Sequence, residues 1–148
     1  MKEGLSGLTE RAEILEKGKV RNKTLLDIGT GPLAIIAARD FNCQVTNIDI
    51  SEEALKDAQK EAERAGIAQK INFEKEDATN LSYQDNTFNV VISYGALHHN
   101  PPDKRERFIR EAYRVAKEKV ILSELTEIGF KQLHYFSQNV YYTAQTRC

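Results

Sequence analysis

Cysteine is scarce: the 148-residue chain has two, Cys43 and Cys148, and their spacing is not that of a metal-ligating pair. So few thiols exclude a disulfide framework, and the expectation is a reducing, cytoplasmic setting with no metal centre. Long apolar runs are missing. No stretch approaches the roughly 20 residues that cross a bilayer, so no membrane partner is expected. The leading segment MKEGLSGLTERAEILEKG lacks the apolar centre of a signal peptide. An excess of positive charge is missing as well. Lys and Arg total 21 against 22 Asp and Glu, a net charge of -1, which leaves no electrostatic footprint for nucleic acid. The densest basic stretch holds Lys104, Arg105, Arg107 and Arg110. Glu106 and Glu111 are interleaved with it, and it reads as a solvated helix face. Repeats and low-complexity tracts are absent. With 41% hydrophobic and 29% charged residues, the chain reads as a globular protein of one domain, residues 1–148.

The apolar residues alternate between two periods. Helical spacing marks Leu5 to Lys17, with Gly18 as a stop. Thr24 to Ile28 is a short strand, followed by the turn Gly29-Thr30-Gly31-Pro32 and an alanine-rich buried helix from Leu33 to Arg39. Gln44 to Ile48 is a second strand. Ser51 then caps a helix whose first turn carries acids, and Gly66 ends it. Ile71 to Lys75 is a third strand, Phe88 to Ser93 a fourth, Arg105 to Ala116 an amphipathic helix and Val120 to Leu122 a fifth strand. Strands alternating with helices predict an α/β, Rossmann-like doubly wound sheet, mostly parallel, with helices on both faces. In such sheets ligands bind beyond the carboxyl ends of the strands. Asp27, Gly29, Gly31, Asp49, Asp77 and the segment after Ser93 all fall at carboxyl ends.

Glycines after the first strand let a ligand approach the backbone. An acid ending the second strand suits a ribose diol, because a carboxylate accepts two hydroxyl hydrogen bonds. Both features serve dinucleotides and S-adenosylmethionine alike. Gly29-Thr30-Gly31-Pro32-Leu33-Ala34 comes close to the dinucleotide fingerprint. Two residues argue against a pyrophosphate. The Asp27 carboxylate would stand at like-charge distance from it, whereas it suits a cationic amino group. Pro32 removes an N–H that a phosphate would use.

The segment Asp27-Ile-Gly-Thr-Gly resembles the first motif of class I S-adenosylmethionine-dependent methyltransferases. Asp49 in Asn-Ile-Asp-Ile-Ser is similar to that family's ribose-binding acid, and Glu76-Asp77-Ala78 to its adenine-side segment. Asp85-Asn-Thr-Phe-Asn-Val-Val-Ile-Ser93, then Ala96-Leu-His-His99, resembles the fourth-strand motif of the small-molecule branch. Glu111-Ala-Tyr-Arg-Val115 resembles the helix after it. The likeness runs from about Leu25 to Glu124. It implies a methyltransferase with S-adenosyl-L-methionine as cofactor. Asp27, Gly29, Thr30 and Gly31 would bind it from the turn, Asp49 and Ile50 at the ribose, and Asp77, Ala78 and Ser93 beyond. Departures are a shorter glycine turn and Lys117-Glu118-Lys119 where the family commonly has Gly-Gly.

On the acceptor side, Tyr94 stands at the fourth strand's end. His98 and His99 are candidates for a general base, but methyl transfer asks mainly for alignment, and the resemblance implies that this pair shapes the loop. The catalytic residue stays unknown. Asn100-Pro101-Pro102 begins seven residues after Ser93 and is followed by Asp103 rather than an aromatic residue. It therefore reads as a loop ahead of a helix, not as the motif of amino-group methylases. Beyond the fifth strand the runs Phe130 to Phe136 and Val140 to Thr143 are β-rich. Only Thr126 to Gly129 separates Leu125 from Phe130, too few residues for a crossover. The expectation is a hairpin of C-terminal antiparallel strands; the rival is one helix from Glu118 to Ile128. Tyr135, Tyr141 and Tyr142 would line a pocket or, more commonly, a sheet surface. The leading expectation is methyl transfer to an unidentified, small-molecule acceptor. The alternatives are a non-catalytic cofactor-binding sensor or partner subunit, and an NAD-dependent oxidoreductase. An exposed sheet edge would allow a homodimer.

Overall fold

The computed structural model describes the backbone of residues 2–125 and 140–145 and the side chains of residues 8–123. In chain order the elements are α1 (Lys2–Gly18), β1 (Thr24–Ile28), α2 (Leu33–Asp40), β2 (Gln44–Asp49), α3 (Glu52–Arg64), β3 (Ile71–Lys75), β4 (Phe88–Tyr94), α4 (Pro102–Val115), β5 (Ala116–Leu125) and β6 (Val140–Gln145). They form a six-stranded sheet of order β3-β2-β1-β4-β5-β6 with every neighbouring pair parallel. The strand order reverses between β1 and β4, so their carboxyl ends frame the crevice where such sheets take ligands.

Period-two alternation in β1 builds both halves of the core. Leu25 joins Ile14, Leu15, Ala37, Val45, Val90, Ile92 and Ile121 on the side covered by α1, α2 and α3. Leu26 and Ile28 join Ile48, Leu97, Phe108, Ala112, Val115 and Leu122 on the side covered by α4. Ser51 caps α3 by accepting from the Ala54 amide at 3.1 Å, with Glu52 and Glu53 in the first turn. The second helix of the crevice begins three residues earlier than its apolar periodicity suggests. Pro102 occupies the start of α4, where a missing N–H costs nothing, and Pro101 holds the extended entry.

The expected C-terminal antiparallel strands are overturned. β6 pairs parallel with β5, from Val120 opposite Val140 to Leu125 opposite Gln145. The connection is residues 126–139, long enough for a parallel crossover. The run from Phe130 to Phe136, with Tyr135, lies outside the described residues, whereas Tyr141 and Tyr142 belong to β6. The rival helix from Glu118 fails as well, because β5 continues through Leu125.

Between β3 and β4 the chain crosses by a loop rather than a helix, and α4 fastens it. Arg114 donates to the carbonyls of Tyr83 (2.8 Å) and Leu81 (3.1 Å), to Asp85 (2.9 Å) and to Glu111 (2.8 Å). Glu111 in turn accepts from the Leu81 amide at 2.8 Å. These bonds explain why a segment that reads as polar buries Leu81 against Phe108 and Ile109. Arg114→Ala is expected to lower stability by about 1–3 kcal/mol, since it strips partners from two loop carbonyls and two carboxylates. Urea unfolding followed by circular dichroism measures it. An unchanged midpoint would mean the loop is held by its apolar contacts alone.

Candidate functional site

The turn after β1 is held by three successive residues of β2. Gly29 has φ +95°, which strains any other residue, and a Cβ built on it would sit a tight 3.2 Å from the Ala96 Cβ. Its amide donates to the Ile48 carbonyl at 2.8 Å. The Asn47 Nδ2 donates to the carbonyls of Asp27 (3.0 Å) and Gly29 (2.9 Å). Asp49 Oδ2 accepts from the Thr30 amide and the Thr30 hydroxyl, both at 3.1 Å, and its Oδ1 accepts from the Ser51 amide at 3.0 Å. Asp49 is thus both a turn clasp and a carboxylate at the mouth of the crevice, with acceptor capacity left on Oδ1.

Beyond the strand ends lies a cavity of about 360 Å³. Gly29, Asp49, Ile50, Asp77, Ala78 and His99 border it, and Ile28, Ile48, Ala96 and Phe108 supply apolar wall. Ile50 is 63% exposed, an open apolar surface at the rim rather than a core residue. Asp77 is fixed by its own turn: Oδ1 accepts from the Thr79 amide (2.9 Å) and hydroxyl (2.7 Å). These bonds hold its carboxyl below the usual range, with help from Lys104 and Arg107 across the loop. Thr30 and Gly31 lie on the far side of the turn and line a second groove of about 470 Å³, between α2 and α3.

The other end of the crevice faces α1. Asp27 is 2% exposed, and burial pushes its carboxyl well above the ordinary carboxylate range, with the positive charge of Arg11 pulling it part of the way back. The Arg11 guanidinium lies 4.5 Å from the centre of the Tyr94 ring, and the Tyr94 hydroxyl donates to Glu10. Tyr94 therefore packs on the α1 side, away from the 360 Å³ cavity. Among the described residues three buried side-chain atoms lack a partner: Asp27 Oδ2, Asn47 Oδ1 and Ser93 Oγ. All three sit at the carboxyl ends of β1, β2 and β4. Unpaired buried polar atoms are costly, and these three cluster at the strand ends that frame the crevice.

Of the residues expected from sequence, Gly29, Asp49, Ile50, Asp77, Ala78 and His99 meet around one cavity. Asp27, Ser93 and Tyr94 stand at neighbouring strand ends. His98 stacks on His99 with ring centres 4.1 Å apart, and its carbonyl accepts from Arg105. Among the described residues no group of His, Cys, Asp and Glu side chains could hold a metal ion. No helix there is long and apolar enough to cross a membrane. Sequence reasoning missed Arg11, Glu10 and Asn47. Nothing local marks Asn47, since β2 also holds the polar residues Gln44, Thr46 and Asp49. Nothing local distinguishes Glu10 and Arg11 from other charges of an amphipathic helix.

These features define an α/β domain with carboxylates gathered at the carboxyl ends of its parallel strands. Residues 26–119 match the family model described as methyltransferase domain. The chain is 36% identical over 107 residues to norajmaline N-methyltransferase of Rauvolfia serpentina, covering 71% of this chain and 36% of that protein. It is 40% identical over 95 residues to 27-O-demethylrifamycin SV methyltransferase of Amycolatopsis mediterranei, covering 63% and 34%. Among solved structures it is similar to the [4+2]-cyclase SpnF, with a TM-score of 0.68 and 29% identity over 75% of this chain and 41% of that one. The chain belongs to the methyltransferase domain family, the S-adenosylmethionine-dependent class. It spans about a third of the length of these two curated relatives. The NAD-dependent alternative finds no support among them.

Asp27 gives a test of sign. Its folded-state affinity for a proton exceeds the unfolded one, so its contribution to stability is complete below about pH 4 and is lost as pH rises through the elevated value. Asn carries no such loss. Asp27→Asn is expected to melt at a higher temperature than the parent at pH 7 without ligand, with the gap closing toward pH 4. Calorimetric melts at both pH values check it, and a lower neutral-pH melting point for the variant refutes it.

Proposed function

We propose that residues 1–148 act as one S-adenosylmethionine-binding domain and transfer a methyl group to a small-molecule acceptor, in the cytoplasm. The observation that carries this reading is the crevice itself: Asp49 and Asp77 flank one apolar cavity, and the buried, partnerless Asp27 Oδ2 lies at the adjoining strand end. The residues fit the cofactor. Asp49 would accept from the ribose hydroxyls, and Asp77 with the Ala78 amide would meet the adenine. Asp27 would take the cationic amino group, which favours the ionised carboxylate that burial alone disfavours. Ser93 Oγ offers a further polar contact. When bound, the cofactor supplies an electrophilic methyl group on a sulfonium.

The chain's own part is alignment and exclusion of water. The clasped turn and the apolar wall of Ile28, Ile48 and Phe108 fix position, and approximation of this kind supplies much of the rate in bimolecular transfers. Tyr94 and the loop to Asn100 face the acceptor in this reading. His99 borders the cavity and is the better placed of the two histidines to move a proton. The relatives' names, norajmaline N-methyltransferase and 27-O-demethylrifamycin SV methyltransferase, support a small organic acceptor and leave its atom open.

A second reading keeps the cofactor and drops the transfer, as a sensor or partner subunit. One observation favours it: a protein with this fold carries the name of a cyclase, and fold does not fix chemistry. Calorimetric titration with S-adenosylhomocysteine tests the shared part. Micromolar binding is expected, with none for NAD. Asp49→Ala is expected to weaken it by about tenfold or more, the effect of removing a charged acceptor from two hydroxyls. Equal affinity in parent and variant would refute the role given to Asp49. Methyl transfer from labelled cofactor across an acceptor panel then separates the two readings.

A further inference from the structure

We propose that Asn47 is a positioning residue for the cofactor, a role that rests on the cofactor reading above and goes beyond it. The residue is wholly buried in β2, between Val45 and Ile48. A buried primary amide is costly unless bonded, and an apolar residue would satisfy the packing. The space beside Asn47 is not even filled: it borders the 470 Å³ groove, together with Ala54, Ala58 and Phe73. Its role is therefore directional rather than volumetric.

Both Nδ2 hydrogens are used, and both go to the cofactor turn. One meets the Asp27 carbonyl at 3.0 Å and the other the Gly29 carbonyl at 2.9 Å. At Gly29 the backbone turns to positive φ and leaves the regular ladder. Asn47 stands in there as a side-chain donor for the carbonyl that no strand amide serves. The pairing is chemically complementary to that of Asp49, two residues on and on the same face. Asn47 donates to the turn's carbonyls while Asp49 accepts the turn's amide and hydroxyl. A carboxylate at 47 would face two carbonyl oxygens with no donor, and an alkyl group would leave both without their side-chain donor. The amide fixes the plane of the Asp27–Gly29 backbone, and with it the direction of the Asp27 side chain at the amino-acid end of the crevice.

The test compares Asn47→Ala and the near-isosteric Asn47→Asp with Val45→Ala. Val45 is also buried on the same strand face and stands opposite Leu25, two residues before Asp27. Binding of S-adenosylhomocysteine and of 5′-methylthioadenosine, which lacks the amino-acid end, is measured by calorimetry, and melting without ligand by circular dichroism. Both Asn47 variants are expected to bind S-adenosylhomocysteine about tenfold more weakly, the scale of losing well-made hydrogen bonds at a positioned group, with a smaller loss for methylthioadenosine. Val45→Ala is expected to melt lower yet keep its affinity to within about twofold. If neither Asn47 variant folds, Asn47→Ser, which keeps one hydroxyl donor, carries the comparison. Unchanged affinity in the Asn47 variants, or equal losses for both nucleosides and for Val45→Ala, would overturn the proposal and leave the cofactor reading standing. No binding of S-adenosylhomocysteine by the parent protein would overturn both.

Discussion

The grip of β2 on the turn after β1 is the constraint from which the site follows. Asn47, Ile48 and Asp49 make five hydrogen bonds to Asp27, Gly29 and Thr30. A glycine turn alone is permissive, because glycine loses the most freedom on ordering. Here a neighbouring strand removes that freedom. Parallel pairing sets the distance, with Asp27 opposite Asn47 and Ile28 opposite Ile48. Side-chain alternation then brings Asn47 and Asp49 to the same face. The binding geometry is thus a property of two paired strands rather than of a loop.

The site works against the fold that carries it. A carboxylate at 2% exposure, and unpaired polar atoms on Asn47 and Ser93, are features that a protein optimised for stability would remove. They persist together at one end of one sheet, while the apolar layers beneath them are closed. Leu25, Leu26, Val90, Val91 and Ile92 show no exposed surface. Sites that hold charge for a partner are expected to look like this before the partner arrives.

Much of this was legible in the sequence because its causes are local. Strand runs, the Ser51 cap and the acids at strand ends announce themselves within a few residues. So does the approximate reach of each helix, although Pro102 shows that capping chemistry can outrun apolar periodicity. The parallel β6 was not legible. Apolar, β-branched stretches after residue 125 suggest strands but do not say which stretch pairs with β5. Asn47 was hidden for a different reason. Its partners are backbone carbonyls about twenty positions away, and no pattern of side chains records a carbonyl. Arg11 was hidden because its effect on Asp27 is exerted through space from α1.

That through-space interaction has a thermodynamic corollary. α1 reaches the crevice with two charges, Arg11 toward Asp27 and Glu10 on the Tyr94 hydroxyl. The charge state of Asp27 sets what Arg11 contributes to docking the helix. Anything that ionises or neutralises Asp27 therefore changes the hold of the sheet on α1, and the docking of α1 changes the affinity of the crevice by the same free energy. The first helix of the chain is a linked ligand of the site, covalently tethered to it.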